Sequence, residues 1–119
     1  MKRNLLLVAV AVSAGVHAGL APSHLEEEPL LGFLFVAAVV VLAAVAVALA
    51  RRLDSQLPVV AAATALAGLV TGYVATRTVG VPGLEHEGWD SLGLATNAVE
   101  LLGVAAAFQL IRTPRREIT

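Results

Sequence analysis

Apolar residues in this chain fall in four long blocks, at about 4–21, 30–50, 57–76 and 92–111, and short polar or Gly/Pro stretches separate them. The blocks are built mostly of Ala, Val and Leu. A membrane-spanning helix needs ~20 mainly apolar residues, and each block meets or approaches that length. The pattern predicts an all-α fold: a membrane-embedded four-helix bundle of two antiparallel hairpins, in one domain covering 1–119.

The stretches between the blocks set the expected turns. The first reads APSHLEEEP and predicts a loop, with Pro29 in the first turn of the second helix, where its missing donor costs nothing. Glu26, Glu27 and Glu28 suit the positive end of that helix's dipole. The second helix has no polar side chain and reads as lipid contact. Arg51-Arg52-Leu-Asp-Ser-Gln is a short turn, and Pro58 again opens a helix. The last connection carries the breakers Gly80, Pro82, Gly83 and Gly88, then Trp89 as an interfacial anchor and Asp90 or Ser91 as N-cap. Gly15-x-x-x-Gly19 and Gly68-x-x-x-Gly72 are small-residue pairs of the kind that let a second helix approach closely.

Composition agrees with the pattern: 58% of residues are hydrophobic and 14% charged, far from the mix of a soluble domain. There is no cysteine, so disulfides, thiolate metal sites and thiol nucleophiles are excluded. The net charge of -1 hides an asymmetry. If the spans alternate, Lys2, Arg3, Arg51, Arg52, Arg112, Arg115 and Arg116 share one side. Arg77 stands alone on the other, with Glu26, Glu27, Glu28, Glu85, Glu87 and Asp90. The side rich in Lys and Arg is cytoplasmic, so both termini are expected there, in the inner membrane of a prokaryote. A second reading takes residues 1–18 as a secretory signal, on the strength of Lys2-Arg3, a short apolar run and Val16-His17-Ala18. It would leave three spans.

Polar residues inside the blocks are the candidate chemistry. Glu100 lies within an apolar run, where a carboxylate is costly and marks a site by default. It shares a stripe with Gly93, Asn97, Gly103 and Ala107, the signature of a face packed on other helices. At ~1.5 Å rise per residue, His17, Asn97 and Glu100 sit roughly 6, 7 and 12 Å inside the outer ends of their helices. Ser13, His17, Thr71, Asn97 and Glu100 can thus meet in the outer half of a compact bundle, roofed by His24, Glu85, His86 and Glu87. Three readings compete: a structural polar network, a divalent-metal site drawing on the His and Glu residues of that roof, and a proton or ion relay through His17 and Glu100.

No Gly-x-Ser-x-Gly, His-Glu-x-x-His, P-loop or dinucleotide fingerprint occurs. Basic residues are few and hug the membrane ends, which gives nucleic-acid binding no support. The expectation is a non-enzymatic accessory or structural subunit, in contact with lipid and with a larger membrane-protein partner or further copies of itself.

Two stretches, HAGLAPSHLEEEPLLGFLF and RTVGVPGLEHEGWDSLGLATNAVELL, resemble a group of small four-span membrane proteins of high-GC bacteria and halophilic archaea. The most specific parts are His17…Pro22-x-His24-Leu-x-Glu and Arg77-Thr-x-Gly-x-Pro. The resemblance covers nearly the whole chain and implies topology and a prokaryotic inner membrane. It carries over no activity and no functional residue.

Overall fold

The computed structural model describes residues 2–51, 55–80 and 88–112. Its four helices, α1 (Lys2–Glu27), α2 (Pro29–Arg51), α3 (Leu57–Arg77) and α4 (Ser91–Arg112), pack as a bundle of two antiparallel hairpins. All four are long and apolar enough to cross a membrane. Around the bundle the order is α2, α1, α4, α3. The contacts of α1 with α2 and α4, and of α3 with α4, are extensive, whereas α2 and α3 meet much less closely.

The first connection corrects an expectation. The segment APSHLEEEP is almost entirely helical, and Glu28 is its only non-helical residue. Pro22 lies inside α1 and removes one backbone donor there. The Leu-Glu-Glu that follows favours helix. The Ser23 hydroxyl donates to the Leu20 carbonyl, and the Glu28 N–H closes the last turn onto the His24 carbonyl at 2.7 Å. The chain then reverses within one residue. Gly32 makes the reversal possible, because a Cβ there would lie 2.5 Å from the Leu25 Cα.

The core is confined to one end of the bundle. Leu6, Ala9 and Val10 of α1 meet Leu42, Val45 and Leu49 of α2, with Val59, Ala62 and Leu66 of α3 and Ala106 and Ala107 of α4. These lie where α1 and α3 begin and where α2 and α4 end, here called the terminal end; the opposite end, with the α1–α2 reversal, is the turn end. Gly103 brings three helices together, since a Cβ there would stand 2.7 Å from Leu66 and 2.8 Å from Ala9. Large apolar side chains such as Val8, Phe33, Val40, Leu102 and Phe108 point outward. A surface of this kind is suited to hydrocarbon rather than water.

The two Gly-x-x-x-Gly pairs pack against no other helix of this chain. A Cβ added at Gly15, Gly19, Gly68 or Gly72 would meet nothing within 4 Å. Within this chain the close helix approaches occur at Gly32, Gly93 and Gly103 instead.

Candidate functional site

Above the core, at mid-height, α1 and α4 are joined by a hydrogen bond between polar side chains. Ser13 is fully buried and Glu100 is 1% exposed. The Ser13 hydroxyl donates to Glu100 Oε2. One turn further along α1, His17 Nδ1 lies 2.7 Å from the Ser13 carbonyl oxygen. A carbonyl can only accept, so Nδ1 is the donor in this contact. The same nitrogen is 3.4 Å from Ser13 Oγ. Sequence spacing explains why these groups meet: Ser13 and His17 are four apart on one face of α1, and Glu100 lies on the small-residue stripe of α4 that faces it.

His17 and His24 lie two turns apart and both rest on Phe35 of α2, with ring centroids 4.9 and 4.6 Å away. His24 therefore belongs to the last turn of α1 and not to a loop above the bundle.

The other expected members make no bond to Ser13, His17 or Glu100 among the described residues. Thr71 is exposed and donates to the Ala67 carbonyl of its own helix, away from Glu100. A face inferred from spacing within α3 does not say which way that face turns. The Asn97 side-chain N–H donates to the Gly93 carbonyl at 2.7 Å, within α4. Its Oδ1 is buried and has no hydrogen-bond partner among the described residues. Glu85, His86 and Glu87 lie outside the described residues. Among the described residues, no three His, Asp or Glu side chains come together to hold a metal ion.

Between this polar seam and the turn end lies a cavity of about 420 Å³. His17, Asn97 and Glu100 line it on the side of α1 and α4. Leu34 and Phe35 form the α2 wall, and Gly68, Leu69 and Gly72 the α3 wall. The sparse contact between α2 and α3 and two α3 glycines that offer no side chain leave this space open.

Its rim is a second cluster that the sequence disclosed only as separate parts. The Arg77 guanidinium stacks 3.8 Å over the Tyr73 ring and pairs with Asp90 at 3.3 Å. It also donates to the Gly88 carbonyl and the Thr76 hydroxyl. The Tyr73 hydroxyl donates to Asp90 Oδ1 at 3.1 Å, and Trp89 meets the Tyr73 ring edge-on. Asp90 caps α4 by accepting the Gly93 N–H at 2.8 Å. Partial burial works to raise the Asp90 carboxyl, but the bonds from Gly93, Tyr73 and Arg77 outweigh it and hold the group below the ordinary carboxylate range. Gly93 has no side chain, and a Cβ there would collide with the Tyr73 ring. The readable signal was Tyr73 and Arg77 four apart on one face, with an acid opening the next helix.

In comparisons with known proteins, no family model matches the chain, and no curated protein and no solved structure matches it significantly.

Proposed function

We propose that this chain is a small multi-pass protein of a prokaryotic inner membrane, with four spans and both termini cytoplasmic, serving as a non-enzymatic accessory or structural subunit. The observation that carries the reading is the buried Ser13–Glu100 bond between α1 and α4. A carboxylate facing hydrocarbon would cost at least ~2.5 kcal/mol by the insertion penalty of a central Asp. Turned inward and bonded, it ties two helices at a defined register. Four helices of spanning length and an outward apolar surface support the membrane assignment. The charge asymmetry of the sequence supports the orientation: seven basic residues fall in the segments expected to be cytoplasmic, against Arg77 alone in those expected outside. A larger membrane protein or further copies of the chain are the expected partners, and the exposed Gly15 and Gly19 leave α1 open to a close-packed neighbour.

Single cysteines at Lys2, Ser23, Gln56 and Val79, all exposed, test the orientation. In intact cells an impermeant thiol reagent should label positions 23 and 79 and spare 2 and 56. Labelling of position 2 or 56 would overturn the arrangement. A mature chain beginning near Gly19 would show the signal reading to hold instead.

A further inference from the structure

We propose that the cavity between α2 and α3 binds a lipophilic molecule that carries a hydroxyl group, the hydroxyl set on the imidazole of His17. The inference rests on the membrane-spanning reading above and adds a ligand to it. A volume of about 420 Å³ falls within the range of small-molecule sites, roughly 300–1,000 Å³. The walls from Leu20, Leu31, Leu34, Phe35 and Leu69 are apolar and suit a hydrocarbon or aromatic body.

The polar atoms that a ligand can reach are few. Glu100 is 1% exposed and Asn97 Oδ1 is buried, so both are closed off behind the wall. Thr76 and Thr96 donate to carbonyls of their own helices, and Arg77 and Tyr73 are both bonded to Asp90. His17 and His24 differ. Both line the cavity and both are only partly buried. Among the described residues, His17 Nε2 and the two His24 nitrogens make no hydrogen bond. None of these three atoms is closed off, because Asn97 Oδ1 is the one side-chain nitrogen or oxygen there that is both buried and without a partner.

His24 stands in the last turn of α1, where a spanning bundle meets water. His17 lies two turns deeper, at a level surrounded by hydrocarbon. Its Nδ1 is taken by the Ser13 carbonyl at 2.7 Å, which leaves Nε2 for a ligand. A neutral imidazole with its proton on Nδ1 accepts at Nε2, whereas an imidazolium donates there. A hydroxyl both donates and accepts, so it answers Nε2 in either form. A carboxylate or an ammonium answers only one of them, and Arg77, the cation on the wall, is already paired with Asp90. Entry need not pass the rim. The sparse α2–α3 contact and the exposed backbone at Gly68 and Gly72 give a side approach, from which a molecule dissolved in the bilayer can enter.

The full chain in lipid nanodiscs is titrated with naphthylmethanol and, separately, with ethylnaphthalene, which keeps the ring and the size but has no hydroxyl. Empty nanodiscs give the partition of each probe into lipid, so that affinities refer to probe dissolved in the bilayer. The alcohol should saturate at one molecule per chain and bind about threefold to tenfold tighter than the hydrocarbon, the scale of one net hydrogen bond. His17→Phe should erase that advantage while leaving ethylnaphthalene unchanged, and His24→Phe should preserve it. Gly72→Leu, which places a side chain in the open space, should abolish saturable binding of both. If His17→Phe does not fold, isotope-labelled imidazoles in the unaltered chain give the reading: the alcohol should shift the His17 Nε2 resonance and ethylnaphthalene should not. Uptake that never saturates, equal affinity for the two probes, an advantage that survives His17→Phe, or a His17 Nε2 that does not respond overturns the site. Cysteine labelling is read independently: binding absent with the labelling pattern intact removes this site alone, and a failed pattern removes the spanning reading.

Discussion

Ser13 and Glu100 exchange a hydrogen bond where neither side chain reaches solvent, so each depends on the other for satisfaction. Ser13→Ala should cost about 0.6–1.7 kcal/mol, between the mean and the maximum measured for interhelical bonds in a membrane protein. Glu100→Gln keeps an acceptor for the serine and should be milder. Unfolding in mixed detergent micelles reads both, and an unchanged Ser13→Ala would show that the bond holds nothing. Asp90 gives a pH signature. Its folded-state value lies below the ordinary one, so its contribution is complete above about pH 3.9 and fades as pH falls through the lower folded value. Asp90 is half-exposed and the pair solvent-screened, so the loss should stay under about 1 kcal/mol. Asp90→Asn should flatten this acid limb of a detergent unfolding profile; a limb of unchanged slope would remove Asp90 from it. Glu100, Ser13 and His17 were legible because helical rise converts sequence position into depth. The bond of Asn97 to its own helix and the outward turn of Thr71 were not, since rotation of one helix against another is written in neither helix alone.

At the scale of elements, glycine position separates packing from spacing. Gly93→Ala and Gly103→Ala each insert a methyl where no room exists, at the Tyr73 ring and at Leu66 with Ala9, and should destabilise by about 1–3 kcal/mol. Gly68→Ala and Gly72→Ala meet open space and should stabilise α3 by up to about 1 kcal/mol each through helix propensity. Detergent unfolding of the four variants checks the contrast, and a loss at Gly68 or Gly72 would mean that a second molecule packs there. The motif Gly-x-x-x-Gly was visible in the sequence, but the tight contacts in this chain fall at other glycines, Gly32, Gly93 and Gly103. Pro22 misled for a related reason. A proline amid polar residues reads as a loop, yet the cost of one missing donor is small beside the helix preference of the Leu and Glu residues that follow and the packing of Leu25 under Gly32.

Across the whole molecule, four blocks of spanning length and a one-sided distribution of basic residues made the helix count and the hairpin pairing readable. The uneven distribution of packing was not readable, because Ala, Val and Leu fill the blocks from end to end. Tight packing at the terminal end gives the four helices a common root, while the rim at the turn end is tied by Arg77, Tyr73 and Asp90 between α3 and α4. From Leu66 in the core to Arg77 at the rim, α3 rises about 16 Å. A tilt of about 5° at the root would therefore carry the rim about 1.4 Å sideways over that rise. With its fulcrum in the core, the bundle would act as a lever: a strain too small to disturb Leu6 or Leu66 would be larger where α2 and α3 stand apart.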